Sequence, residues 1–170
     1  MSLEQLWNGW RAQYVGQGEG QSPDPSKSVF THILESGLSD EDAHIVHRSA
    51  HSFVILNAYP YASGHLLVLP YREIPNLEDL SIEESQDLWS CVTNATVAVR
   101  ASHSPDALNV GINLGAAAGG SIARHLHVHV VPRWNGDSNF MTSVADTRTI
   151  PEPLSLTASK VRAAWPKGDK

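Results

Sequence analysis

A chain of 170 residues, 41% hydrophobic and 18% charged, has the length and balance of one globular domain with a sizeable core. Eighteen acidic against twelve basic residues give a formal net charge of −6. That excludes a global basic field for nucleic acid or an anionic membrane, while leaving room for a local anion pocket. The single cysteine, Cys91, excludes an intrachain disulfide. The longest apolar run, near Phe53 to Leu56, is far shorter than a membrane span, and no basic segment followed by an apolar one opens the chain. A cytoplasmic protein with no nucleic-acid or membrane partner is expected.

In chain order, residues 2–15 read as an amphipathic helix, with Leu3, Leu6, Trp7, Trp10 and Tyr14 at three- and four-residue spacing. Glycines and prolines over residues 16–28 predict a linker. Val29 to Leu34 reads as a short strand, and Ile45–Val46 with Ser52 to Asn57 as a hairpin region. Tyr59 to Gly64 is a turn, followed by an apolar strand from His65 to Pro70. Ser81 and Glu84 form a capping-box signature that opens a helix to about Ala101, with Leu88, Val92, Ala95 and Val99 facing inward. Asn109 to Leu114 reads as the next strand, and Thr157 to Trp165 as a terminal helix. The pattern is an α+β domain: a mostly antiparallel sheet with one long helix inserted before its last two strands.

Residues 125–134 read His-Leu-His-Val-His-Val-Val-Pro-Arg-Trp. Strict alternation is the period of a strand. It would send Leu126, Val128 and Val130 into a core and set His125, His127 and His129 about 7 Å apart on the other face. β-propensity gives no reason for three imidazoles on one face, so the pattern points to a chemical site. The preceding loop, Gly-Ala-Ala-Ala-Gly-Gly-Ser over residues 115–121, can turn backbone N–H groups toward an anion, and Ser121 adds a hydroxyl. Neutral imidazole attacks and carries protons near neutral pH, and phosphoryl transfer asks mainly for positioning and charge stabilisation. The middle residue, His127, is then the natural nucleophile. Spacing alone fits zinc equally well, with two histidines at i and i+2 and a third ligand such as His65. The glycine loop, and the lack of an acidic or cysteine ligand beside the strand, weigh toward phosphate and leave metal as the alternative.

These residues together resemble the histidine triad (HIT) family of nucleotidyl hydrolases and transferases, whose signature is His-x-His-x-His followed by two apolar residues. The resemblance runs over residues 28–140. It rests on Asn57 and His65 within residues 56–68, on Asn113-Leu114-Gly115, on Gly119-Gly120-Ser121, and on the triad with Pro132-Arg133. The segment from Trp134 to Phe140 is similar to that of the actinobacterial diadenosine tetraphosphate phosphorylases near the Fhit-like branch. The resemblance implies a five-stranded antiparallel sheet with one long helix and terminal helices. It divides the chain into an N-terminal helix and linker (1–27), a HIT domain (28–145) and a C-terminal extension (146–170).

By position, the resemblance makes His127 the residue that forms a nucleotidyl-histidine intermediate. His125 and His129 become the flanking members that hold phosphate oxygens and orient it. His65 matches a fourth histidine behind the triad, Asn57 and Asn113 lie near ribose and phosphate, Gly120 and Ser121 form the phosphate loop, and Trp134 shapes the second nucleoside subsite. Many bacterial relatives bind structural zinc with a Cys-x-x-Cys pair. Ser28 and Thr31 stand at the matching places, so no metal site is assigned. The expected activity is cleavage of a dinucleoside polyphosphate, with water or phosphate as acceptor. The protein itself requires no cofactor, although Mg2+ accompanies the substrate. The alternatives are a nucleoside phosphoramidase of the same family and a nucleotide-binding module with weak catalysis. A homodimer is expected, with a tetramer as the second option. The remaining histidines, His103 among them, read as surface or hairpin residues.

Overall fold

In the computed structural model of the protein, residues 4–6, 24, 26–119, 122–137, 147–149 and 151–167 are described. Five strands form one antiparallel sheet in the order β2-β3-β4-β6-β5. They are β2 (Ile45–Arg48), β3 (Ser52–Leu56), β4 (Leu66–Pro70), β5 (Ala107–Ile112) and β6 (Val128–Arg133). All five residues of β3 and of β4 are buried, because helices cover both faces of the sheet. A strand covered on both faces reads as a continuous apolar run rather than an alternating one. The expected α+β architecture, with an antiparallel sheet and one long helix, is what the chain adopts.

One face carries Val54, Leu56, Leu66, Val68, Val128 and Val130. They pack against Leu88, Val92, Ala95 and Val99 of α2 (Ile82–His103) and against Leu154, Ala158 and Val161 of α3 (Leu154–Ala164). The capping box at the start of α2 is present in both directions, between Ser81 and Glu84. The opposite face carries Phe53, Ile55, Leu67 and Leu69 under Phe30 and Ile33 of α1 (Val29–Glu35). Cross-strand pairing places Leu67, His129 and Gly111 opposite one another, so His129 lies on the α1 side of the sheet.

Three expectations are corrected. Val29–Leu34 is helical rather than a strand. Ser28 caps it by accepting a hydrogen bond from the Thr31 N–H, and Phe30, Ile33 and Leu34 recur at helical spacing beneath the β-branched residues that suggest a strand. Within the expected 2–15 helix, Glu4–Leu6 forms a strand, β1, paired in parallel with β7 (Thr147–Thr149), a partner that no local pattern reveals. The rest of that helix and most of the linker lie outside the described residues. Finally, the histidine strand begins only at Val128, so His125 and His127 lie in the irregular lead-in to β6. It also runs through Pro132 to Arg133. Pairing with β4 stops at Val130, so Pro132 sits where the strand has only one neighbour, a position that proline tolerates.

Ser28 serves both the start of α1 and the first histidine of the triad, to which its hydroxyl is bonded at 2.7 Å. Ser28→Ala removes the cap and leaves a buried imidazole nitrogen unpaired, so chemical denaturation should show a loss of about 2 kcal/mol. Unchanged stability would show that neither bond matters.

Candidate active site

His125, His127 and His129 occupy three different environments. His125 is fully buried, with Phe30 edge-on to its ring. A carbonyl oxygen can only accept, so the 2.9 Å contact from His125 Nε2 to the Pro70 carbonyl places a proton on Nε2. Nδ1 is then bare and accepts from the Ser28 hydroxyl. The Ser28 N–H and the Thr31 hydroxyl both donate to Glu73 Oε2, at 2.8 and 2.6 Å, and Arg124 pairs with Glu73 Oε1 at 2.9 Å. The hydroxyls of Ser28 and Thr31 are thus engaged in a network behind the first histidine.

His127 contacts the carbonyl oxygen of His125 through Nδ1 at 2.8 Å. The same reasoning places the proton on Nδ1 and leaves the lone pair on Nε2. His129 is arranged the other way round. The Tyr61 N–H donates to His65 Nδ1 at 3.0 Å, so His65, when neutral, carries its proton on Nε2. That nitrogen lies 2.9 Å from His129 Nδ1 and donates to it. Neutral His129 therefore carries its proton on Nε2, a buried atom with no partner among the described residues. The rings of His127 and His129 have centroids 5.0 Å apart and meet at 61°. One presents a lone pair and the other an N–H.

Burial holds all three histidines below the ordinary imidazole value of 6.5. For His129, burial and the neighbouring His127 together push the value to about 4. Both sides of the pair are accordingly neutral at physiological pH.

A cleft of about 450 Å³ runs beside His129 over β5 and β6, lined by Tyr61, Asn109, Gly111, Asn113, Val131, Arg133 and Asp137 among others. Tyr61 lies over His129 with its ring nearly parallel, at 6.0 Å. Gly111 faces His129 across the ladder, and a Cβ there would meet nothing within 4 Å, so the absent side chain leaves the floor of the cleft open. At the far end, Arg133 donates to Asp137 at 2.6 and 2.8 Å and to Asn109 at 2.9 Å.

Of the other residues singled out in the sequence, Asn113 lines the cleft and His65 lies directly behind His129. Asn57 sits against His65, with Nδ2 3.3 Å from Nδ1, and is not among the cleft residues. Trp134 follows β6 and donates its backbone N–H to Asp137, and it too stands outside the cleft lining. Gly120 and Ser121 lie outside the described residues. Sequence reasoning missed Tyr61, Glu73, Arg133 and Asp137 as parts of the site. It also read His103 as a surface or hairpin residue, whereas its side chain is 6% exposed. Only Tyr61 carried a local signal, from its place in the turn before His65.

His129 borders the cleft, and His127 stands beside it outside the cleft lining. An antiparallel α+β sheet carrying a lone-pair imidazole beside an N–H imidazole at the edge of an open cleft is the arrangement of a histidine triad domain. The HIT domain model matches residues 39–136, and the chain belongs to the HIT family. It is 41% identical over 168 residues to a protein of Mycobacterium tuberculosis named AP-4-A phosphorylase, a match covering 96% of this chain and 85% of that one. It is 36% identical over 93 residues to the asymmetrical bis(5'-nucleosyl)-tetraphosphatase of Schizosaccharomyces pombe, covering 55% of this chain and 50% of that one. Among solved structures, a Hit-like protein from Bartonella henselae superposes with a TM-score of 0.67 at 26% identity, covering 85% of this chain and 99% of that one.

Two predictions follow from the geometry. Gly111→Leu should fill the floor of the cleft and raise KM for a dinucleotide while leaving the melting temperature nearly unchanged; an unaltered KM would show that the substrate lies elsewhere. The second concerns pH. A histidine whose folded value lies below 6.5 binds fewer protons folded than unfolded, so stability is full above pH 6.5 and falls as the pH drops from there toward about 4. Melting curves should show this fall, and His129→Asn should make it shallower. An equal slope in that variant would contradict the assignment.

Proposed function

We propose that the protein cleaves dinucleoside polyphosphates such as diadenosine tetraphosphate through a nucleotidyl-histidine intermediate on His127, with inorganic phosphate as acceptor. The observation that carries this reading is the complementary pair of imidazoles: a lone pair on His127 Nε2 beside a donor on His129 Nε2. The phosphate acceptor is supported by the match along nearly the whole chain to a relative named as a phosphorylase.

In the first step, His127 Nε2 attacks the α-phosphorus. A P–N bond forms as the bond to the bridging oxygen breaks, and the departing nucleotide takes the electron pair. The His129 N–H, with the Gly120 amide and the Ser121 hydroxyl, meets the phosphate oxygens on which charge accumulates. His125, enclosed and with both nitrogens engaged, orients the nucleophile through its carbonyl and does not reach the substrate. His65 fixes the tautomer of His129. Asn113 contacts ribose from the cleft wall, Asn57 steadies His65, and Trp134 covers the second nucleoside. In the second step, a phosphate oxygen attacks the nucleotidyl phosphorus, the P–N bond breaks, and the lone pair returns to Nε2. The protein supplies no metal to these steps; Mg2+ arrives on the substrate.

The molecule acts as a homodimer in this reading. β5 is an edge strand of the sheet, and Val110 on it and Trp89 and Val97 on α2 are large apolar residues that stand 44–48% exposed. A cytoplasmic location belongs to the same reading; among the described residues no helix is long and apolar enough to cross a membrane.

Product analysis on diadenosine tetraphosphate tests the reading. ADP plus ATP, appearing only when inorganic phosphate is present, is the expected result. AMP plus ATP, or two ADP, would make water the acceptor. Faster turnover of adenosine phosphoramidate would make the protein a phosphoramidase. His127→Ala should abolish turnover and retain nucleotide binding, and full activity in that variant would overturn the covalent mechanism.

A further inference from the structure

The tautomer of His129 depends on a turn, and the turn depends on a part of the chain beyond the family match. The Tyr61 N–H reaches His65 Nδ1 only because the segment from Tyr61 to His65 folds back on itself, with the His65 N–H donating to the Ala62 carbonyl at 3.1 Å. Gly64, in the middle of that turn, has φ +86. The ring of His103 lies against it so closely that a Cβ on Gly64 would stand 3.3 Å from three ring atoms.

His103 is the last residue of α2, and its ring is held at both nitrogens. Nδ1 lies 2.7 Å from Ser102 Oγ, and Nε2 lies 2.9 Å from Glu152 Oε1. Glu152 is 13% exposed and also binds Thr157 and Lys160. Burial raises its carboxyl, but the hydrogen bonds from Lys160, Thr157 and His103 outweigh burial and keep it below the usual carboxylate range. The segment bearing Glu152 is itself anchored. Arg162 donates to the carbonyls of Ile45 and Asp40, and Trp165 stacks on His47 at 4.5 Å.

We propose that Glu152 and His103 are positioning residues: the C-terminal segment braces the Gly64 turn through them and so sets the orientation of His65 and the tautomer of His129. This rests on the reading above for what His129 does in turnover, but the brace itself is a statement about His65 and His129 that needs no substrate. Loss of either member frees the turn, lets the Tyr61 N–H leave His65, and allows His129 Nδ1 to compete for the proton. Displacements of about 1 Å at a catalytic group cost up to about a hundredfold in rate, so the loss should appear in kcat rather than KM.

The test uses the full chain with 15N-labelled histidine. In the wild type, the imidazole resonances should assign His65 and His129 as Nε2–H tautomers, with a bond between them. Glu152→Ala and His103→Ala should shift His129 toward a mixture of tautomers and lower kcat on diadenosine tetraphosphate by about tenfold or more, with KM little changed. Glu152→Gln, which keeps an acceptor oxygen, should recover most of both signals and serves if an alanine variant fails to fold. Folded Glu152→Ala or His103→Ala with wild-type tautomers and wild-type kcat would overturn the proposal, as would Glu152→Gln behaving no better than Glu152→Ala. If the wild type turned over no dinucleotide, the proposed function would fail while the NMR signature still decided the brace.

Discussion

The active-site chemistry hangs on one constraint: a backbone N–H can only donate and a backbone carbonyl can only accept. Imidazole, by contrast, can place its single neutral proton on either nitrogen, and in water it exchanges between the two. Here each imidazole of the site ends on a backbone group that settles the choice. The His125 carbonyl assigns Nδ1–H to His127, and the Tyr61 N–H, relayed through His65, assigns Nε2–H to His129. Two chemically identical side chains, two residues apart, thus present a lone pair on one Nε2 and an N–H on the other without any charged group having to order them.

Burial supports the same division. A buried imidazole resists protonation, because the cation loses its hydration without gaining a counter-ion. His127 therefore keeps its lone pair at neutral pH, and His129 keeps only the one proton that its partner assigns. The tight packing that makes this possible comes from a sheet covered on both faces. α2 and α3 bury one side, and α1, through Phe30, closes over His125 and His127 on the other. The cost of such burial is a site whose stability declines in acid, and the Ser28 hydroxyl and the Pro70 carbonyl offset part of it by pairing both nitrogens of His125.

Much of this was legible in the sequence, and the limits follow from range. The alternation of residues 125–130 correctly assigned Leu126, Val128 and Val130 to the core, and the Ser81–Glu84 capping box marked the start of α2. These signals are local, carried by periodicity or by two residues in one turn. What failed was also local in appearance but decided elsewhere. The β-branched residues of α1 look like a strand until Ser28 caps them. Residues 4–6 have helical spacing yet pair with a strand from the other end of the chain. The wiring of the histidines could not be read at all. Pro70, Ser28, Tyr61 and Glu152 are ordinary residues whose roles exist only because the fold brings them to an imidazole nitrogen or to a residue that braces one.

The last question is how an acidic chain holds a polyanionic substrate. Among the described residues lining the cleft, the charged ones are Arg133 and Asp137, and they pair with each other. In the proposed reading the phosphates are met by dipoles rather than by net charge, with the His129 N–H foremost among them. In a partly dehydrated site, oriented N–H groups act on a developing oxyanion with little reorganisation, which favours the transition state over tight binding of the ground state. A cluster of lysines would grip substrate and products alike and slow release. A neutral donor placed by its hydrogen bonds contributes most where charge accumulates, so the precision of the imidazole wiring substitutes for a basic pocket.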